Sequence, residues 1–268
     1  MKAGHLIKSP PQMQRQAAAW HAANLTIGLV PTMGALHEGH LRLIRLARKK
    51  ADRVVVSIYV NPTQFGPQED FARYPRPRAR DLALCRQEGV DTIFAPLNLY
   101  HPDASTQVVE SSCAQGRCGS HRPGHFTGVA TVVVKLLNIV RPHLAIFGQK
   151  DAQQCDVVER VVRDLNLPVR ILRAPIVRDR NGLALSSRNA YLSPKEYLTA
   201  LNLPRVLRAV KSKPAMTMSQ RVKWASNRLQ RIDGLRLEYV EAVGPFLCAA
   251  VRVGQTRLID NVRIPRTA

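Results

Sequence analysis

The chain has 268 residues, 45% hydrophobic and 22% charged, enough to bury a core in one or two domains and incompatible with disorder or a fibrous repeat. Lys and Arg number 40 against 19 Asp and Glu, a formal charge of +21, which predicts anionic partners and says nothing about fold. No apolar run approaches the ~20 residues that span a bilayer, and the N-terminal segment lacks an apolar stretch of secretory length, so a soluble, cytoplasmic protein with no membrane partner is expected.

Cys85, Cys113, Cys118, Cys155 and Cys248 form an odd set without a C-x-x-C pair. That fits neither a disulfide framework nor a usual zinc ribbon, and it favours a reducing compartment. Aromatic content is only 5%, and no basic run is interleaved with aromatics as in single-strand binders. A solvated basic face is the plainer reading, with no specific nucleic-acid partner expected.

Apolar runs rich in Val and Ile predict strands at Thr26 to Val30, Val54 to Val60, Asp91 to Ala95, Leu144 to Phe147 and Val169 to Val177. They lack period-two alternation, as strands buried on both faces do. Amphipathic stretches between them predict helices at Leu41 to Lys50, Arg78 to Glu88, Gly128 to Val140 and Ala152 to Leu165. Strands alternating with helices argue for an α/β, doubly wound parallel sheet of the Rossmann type over residues 1–176.

After Val177 the pattern changes, and 177–268 reads as a smaller α+β domain. A helix should open with Ser193 as N-cap and Pro194 at its first position. From Tyr197 to Ile232 there is no acidic residue, while Arg205, Arg208, Lys211, Lys213, Arg221, Lys223, Arg228 and Arg231 fall there. Strands are expected at Arg236 to Val243 and Cys248 to Val253, with turns at Gly244-Pro245 and Gly254.

The first chemical signal is PTMGALHEGH at Pro31 to His40, a glycine-bearing loop between a buried strand and a helix beginning near His40. Exposed N–H groups and the positive helix end favour anions there. Gly34 and Gly39 admit phosphate oxygens close to the backbone. His37 and His40, one helical turn apart, can point at one phosphate chain and donate hydrogen bonds as charge accumulates. Two blander readings stand beside this: an H-x-x-H metal pair, which has no acidic or cysteine partner at a familiar spacing, and a water-satisfied helix start.

Four more strings occupy strand ends and loops: VNPTQFG at Val60 to Gly66, RPGHF at Arg122 to Phe126, FGQKDAQQ at Phe147 to Gln154 and LSSRN at Leu185 to Asn189. A glutamine amide such as that of Gln64 can hold a hydroxyl and a carboxylate at once. Lys150 at a helix N-terminus opposes the dipole, which suits a functional cation or a merely solvated one. Hydroxyls plus an arginine fork in LSSRN suit a polyphosphate, although such loops are often simple turns. Read alone, NPTQ is a capped loop and RPGHF a turn beside packed rings.

Five strings in this order, with TRLIDN at Thr256 to Asn261, resemble the pantoate–β-alanine ligase family of the nucleotidylyltransferase superfamily, whose H-x-G-H signature is matched by His37 to His40. The resemblance implies ATP-dependent joining of pantoate to β-alanine through an acyl adenylate, with Mg²⁺ on the phosphates and a homodimer. It places Met33, Gly34, Ala35, Leu36, His37, Glu38, Gly39, His40, Gly148, Gln149, Lys150, Asp151, Val177, Leu185, Ser186, Ser187 and Arg188 at ATP. It places Gln64, Gln154, Asn61 and Arg122 near the acid, with His40, His37 and Lys150 catalytic and no protein metal site. Two departures are visible: Gln149 stands where many relatives carry Glu, and the last two strands are joined by a shorter segment, so the second domain is a shortened lid. Rival readings are another nucleotidyltransferase of the superfamily and a non-catalytic basic nucleic-acid-binding protein.

Overall fold

The computed structural model describes residues 4–67 and 69–264. Six strands, β1 (His5–Ile7), β2 (Ile27–Thr32), β3 (Arg53–Ile58), β4 (Thr92–Phe94), β5 (Leu144–Gly148) and β6 (Arg170–Ala174), form one sheet in the order β1-β4-β3-β2-β5-β6. Every neighbouring pair is parallel. From β2 the chain winds outward through β3 to β4, whereas β5 and β6 lie on the other side, so the winding reverses between β2 and β5. Open sheets of this kind bind ligands at the carboxyl ends of the strands flanking such a reversal.

The connecting helices are α1 (Pro10–Ala22), α2 (Glu38–Arg48), α3 (Arg78–Gln87), the short α4 (Arg117–His121), α5 (His125–Val140) and α6 (Ala152–Asp164). Ile27 and Leu29 of β2 pack into a cluster with Met13 of α1, Leu136 of α5 and Val157 of α6. Val30, on the opposite face, packs with Leu41, Ile44 and Ala47 of α2. Both faces are therefore covered, which explains the unbroken apolar runs. Helix α5 presses so closely on the segment after β3 that a Cβ on Gly128 would collide with the Thr63 carbonyl and lie 2.7 Å from the Gln64 Cα. Only glycine fits there.

Sequence periodicity left two N-terminal elements unassigned. Strand β1 has three residues, too few to show a period, and α1 buries only Met13 and Ala17. Strand β6 ends at Ala174, before Pro175, not at Val177, because proline cannot donate to the ladder.

The remaining chain forms α7 (Pro194–Ala200), α8 (Asn202–Lys211), α9 (Met218–Gln230), β7 (Leu235–Val243), β8 (Phe246–Val253) and β9 (Thr256–Arg263). As the sequence predicts, Ser193 caps α7: its Oγ accepts from Glu196 N at 3.3 Å, and Glu196 Oε2 accepts from Ser193 N at 2.8 Å, the reciprocal pair of a capping box. The three strands form an antiparallel meander in the order β7-β8-β9. Leu203, Leu207, Leu229, Leu247 and Val251 fill a separate core beneath it. Tyr239, Cys248 and Ala250 instead join the core of the larger sheet. None of the five cysteines is paired, and no helix among the described residues is long and apolar enough to cross a membrane.

Candidate active site

Helix α2 starts at Glu38, three residues ahead of the expected Leu41, because His37 is its N-cap. His37 Nδ1 accepts from Gly39 N at 3.1 Å, and His40 Nδ1 accepts from His37 N at 3.3 Å. Two imidazoles thus do what Ser and Glu do in an ordinary capping box. A Cβ on Gly39 would lie 2.7 Å from His37 Cε1, so glycine is what lets that ring fold back.

This capping settles the tautomers. Each Nδ1 lone pair is engaged by a backbone N–H, so in the neutral ring the proton sits on Nε2. Burial, with the nearby Lys150 charge contributing, lowers the His37 pKa to about 4. Burial, the His37 ring and Lys150 lower that of His40 to about 3. At neutral pH the pair presents two uncharged Nε2–H donors. Their ring centroids are 4.1 Å apart, and both line a cavity of about 220 Å³ at the sheet reversal.

The loop ahead of α2 is held from beneath. Asp81 of α3, 1% exposed, accepts from Ala35 N and Leu36 N at 2.8 Å each. A buried carboxylate accepting two N–H groups fixes the turn. Thr32 Oγ1 accepts from Gly34 N at 3.1 Å and donates to the Ser57 carbonyl at 2.7 Å.

Across the reversal, β5 delivers Gly148 and the turn of Gln149, Lys150 and Asp151. Lys150 Nζ lies 3.6 Å from Asp151 Oδ2, and both line the cavity with Gly148 and Gln154. Asn261 of β9 donates to the Gln149 and Lys150 carbonyls at 2.9 and 3.2 Å, tying the smaller sheet to this turn. Asp260 beside it, 2% exposed, takes the Arg178 fork at 2.6 and 2.8 Å. TRLIDN is thus a strap between the two sheets.

Val177, Leu185, Ser186, Ser187 and Arg188 form the opposite wall. Ser187 Oγ donates to the Ala35 carbonyl at 3.1 Å. Arg188 is forked onto Asp70 at 2.7 and 2.8 Å. Similarly, Arg122 is forked onto Glu69 at 2.6 Å twice, and its Nη1 lies 2.8 Å from His125 Nε2. His125 Nδ1 reaches the Gln64 carbonyl at 2.8 Å, so this ring donates through Nδ1 and accepts from the guanidinium. Burial and Arg122 lower its pKa to about 3.

Of the residues singled out from the sequence, Met33, His37, Gly39, His40, Asn61, Gln64, Arg122, Gly148, Lys150, Asp151, Gln154, Val177 and Leu185 to Arg188 meet at this one cavity. Gly34, Ala35, Leu36, Glu38 and Gln149 lie off its wall. Glu38 turns outward to Arg45, and Gln149 keeps a buried Nε2 without a hydrogen-bond partner among the described residues. Asp81, Glu69, Asp70 and His125 were not singled out as site residues; only the RPGHF string pointed toward one of them. Among the described residues no group of three or more His, Cys, Asp or Glu could hold a metal ion. A larger cavity of about 470 Å³ adjoins the first, sharing Arg122, Lys150 and Arg188 and reaching Tyr239 and Arg257 of the smaller sheet.

Three histidines held neutral give the fold an acid sensitivity. Unfolded histidine binds a proton below pH 6.5, whereas His37, His40 and His125 do so only near 3–4. Stability is therefore complete above pH 6.5 and declines as pH falls, by about 1.4 kcal/mol per histidine per pH unit. Thermal melts between pH 7 and 4 should show a steeper loss than those of a His125→Asn chain; parallel curves would contradict the buried neutral state.

The family model described as pantoate–β-alanine ligase matches residues 5–263. A pantothenate synthetase of Thermotoga neapolitana is 47% identical, covering 96% of this chain and 98% of its own; that of Rhodospirillum rubrum is 46% identical, covering 98% and 100%. The crystal structure of pantothenate synthetase from Thermus thermophilus superposes with a TM-score of 0.89 at 39% identity, covering 97% of this chain and 99% of its own. A Francisella tularensis pantoate–β-alanine ligase, complexed with β,γ ATP and β-alanine, superposes with a TM-score of 0.86 at 32% identity over 97% and 98%. With sequence and fold agreeing over nearly the whole length, the chain belongs to the pantoate–β-alanine ligase family.

Proposed function

We propose that the chain joins (R)-pantoate to β-alanine at the expense of ATP, releasing AMP, pyrophosphate and pantothenate. The observation that supports this best is the meeting of two uncharged histidine donors and a lysine across the β2/β5 reversal. A carboxylate does not acylate an amine at neutral pH, because its leaving group would be oxide; adenylation replaces that group with AMP. One pantoate carboxylate oxygen attacks the α-phosphorus, and the bond to the β-phosphate breaks with loss of pyrophosphate. The β-alanine amine then attacks the acyl carbon, AMP leaves, and the nitrogen gives up a proton.

The protein's share in this reading is positioning and charge stabilisation. His40 and His37 donate through Nε2 to phosphate oxygens, and Lys150 neutralises the departing pyrophosphate. Ser186 and Ser187 close over the phosphates, with the Arg188 guanidinium held beside them by Asp70, while Val177 borders the adenine. The backbone of Met33 to Glu38 and of Gly148 to Asp151 frames the nucleotide. Gln64 and Gln154 serve the acid, Asn61 by orienting Gln64, and Arg122 borders them in its fork with Glu69.

Mg²⁺ bound to the phosphates would neutralise part of their charge. Glu69 and Asp70 engage both oxygens with arginines, but among the described residues Asp151 has only its 3.6 Å contact with Lys150, and its side chain is 45% exposed. It is the carboxylate suited to an ion that takes one or two protein ligands beside phosphate oxygens. We further place the domain division at residues 176/177, with the second part a shortened lid, and read the enzyme as a cytoplasmic homodimer. The direct test is to mix ATP, Mg²⁺, pantoate and β-alanine: AMP and pantothenate should form together, and AMP release indifferent to pantoate and β-alanine would refute the reading.

A further inference from the structure

Asn61, in the segment after β3, is 1% exposed, and each of its hydrogen-bonding positions is filled. Its Oδ1 accepts from Tyr100 OH at 2.9 Å and from Thr63 Oγ1 at 3.1 Å. Its Nδ2 donates to the Gly128 carbonyl and to Gln64 Oε1, each at 3.1 Å. The Gly128 carbonyl can only accept, so it fixes which end of the amide is nitrogen; the two hydroxyls anchor the other end. Gln64 is oriented in turn. Its oxygen is engaged by Asn61, so its Nε2, now 3.2 Å from Met33 Sδ, is the end available to a ligand.

Asn61 and Gln64 line the cavity, whereas Tyr100 and Thr63 do not. Tyr100 is itself held: its N–H donates to Asn98 Oδ1 at 3.0 Å, and the Lys135 ammonium lies 5.2 Å from its ring centroid. We propose that Tyr100, with Thr63, is a positioning residue that acts through Asn61 to turn the N–H end of Gln64 toward the cavity. The chain of bonds is directional: phenol to Asn61 oxygen, Asn61 nitrogen to Gln64 oxygen, Gln64 nitrogen to the substrate. A donor-only end selects a carboxylate or hydroxyl oxygen and disfavours an ammonium. Calling that oxygen pantoate's rests on the ligase reading above.

Loss of both hydroxyls leaves Asn61 Oδ1 buried without a donor, so the amide is held through its Nδ2 alone and its grip on Gln64 loosens. In a Tyr100→Phe/Thr63→Val chain the pantoate KM should rise about tenfold or more, with ATP KM and kcat changing much less, and Tyr100→Phe alone should fall between. In ¹⁵N-asparagine-labelled protein the Asn61 side-chain NH₂ signal should move in the double variant. A pantoate KM at the wild-type value, or equal losses in every parameter as partial unfolding would give, overturns the proposal. The labelled amide decides the matter even for a chain without ligase turnover: an unmoved Asn61 signal overturns the positioning role, while absent wild-type turnover counts against the ligase reading alone.

Discussion

Pantoate-dependent ATP/pyrophosphate exchange is expected to fall on the order of 100- to 1000-fold in His40→Ala while the chain stays folded, the usual loss for one preorganised donor aimed at developing charge. Folding survives because the substitution removes one accepted hydrogen bond, from His37 N at 3.3 Å, at a helix start that keeps His37 as cap. The ring acts as a neutral donor, since its pKa of about 3 keeps it uncharged with the proton on Nε2. The exchange rate should accordingly show no inflection near pH 6.5 from this pair. Near-normal exchange in His40→Ala would remove His40 from the mechanism, and an inflection near pH 6.5 that disappears in that chain would mean the imidazolium is the working form.

Lys150→Ala should also lower exchange, by roughly 100-fold, through loss of the only lysine at the cavity among the described residues. Its side chain, 21% exposed, is brought by the turn after β5 to face the loop after β2. It also helps to hold both histidines neutral, so the substitution has a second signature: the His37 pKa, about 4 in the wild type, should rise, as histidine ¹³C or ¹⁵N shifts would report. A merely solvated lysine would leave both exchange and that titration unchanged.

The doubly wound sheet was legible because strands covered on both faces leave continuous apolar runs, as in Val54–Val56 and Leu144–Phe147. The first strand was not, since three residues of an edge strand carry no period. Helix α7 could be read from Ser193-Pro194 because a capping box is a local signal. The glycine loop and its histidines were equally local. What surrounds them was not. Asp81 grips that loop from 46 positions away, and the Arg188 and Arg122 forks meet Asp70 and Glu69 across 118 and 53 positions. An expectation that either guanidinium stands free for substrate misses these carboxylates, which only tertiary structure brings into reach.

The most direct test of the chemistry is to label both carboxylate oxygens of pantoate with ¹⁸O and weigh the products of one turnover. Attack of that carboxylate on the α-phosphorus predicts one ¹⁸O in AMP and one retained in the new amide. Label absent from AMP, or found instead in inorganic phosphate or pyrophosphate, would contradict the adenylate and the role assigned to His37, His40 and Lys150.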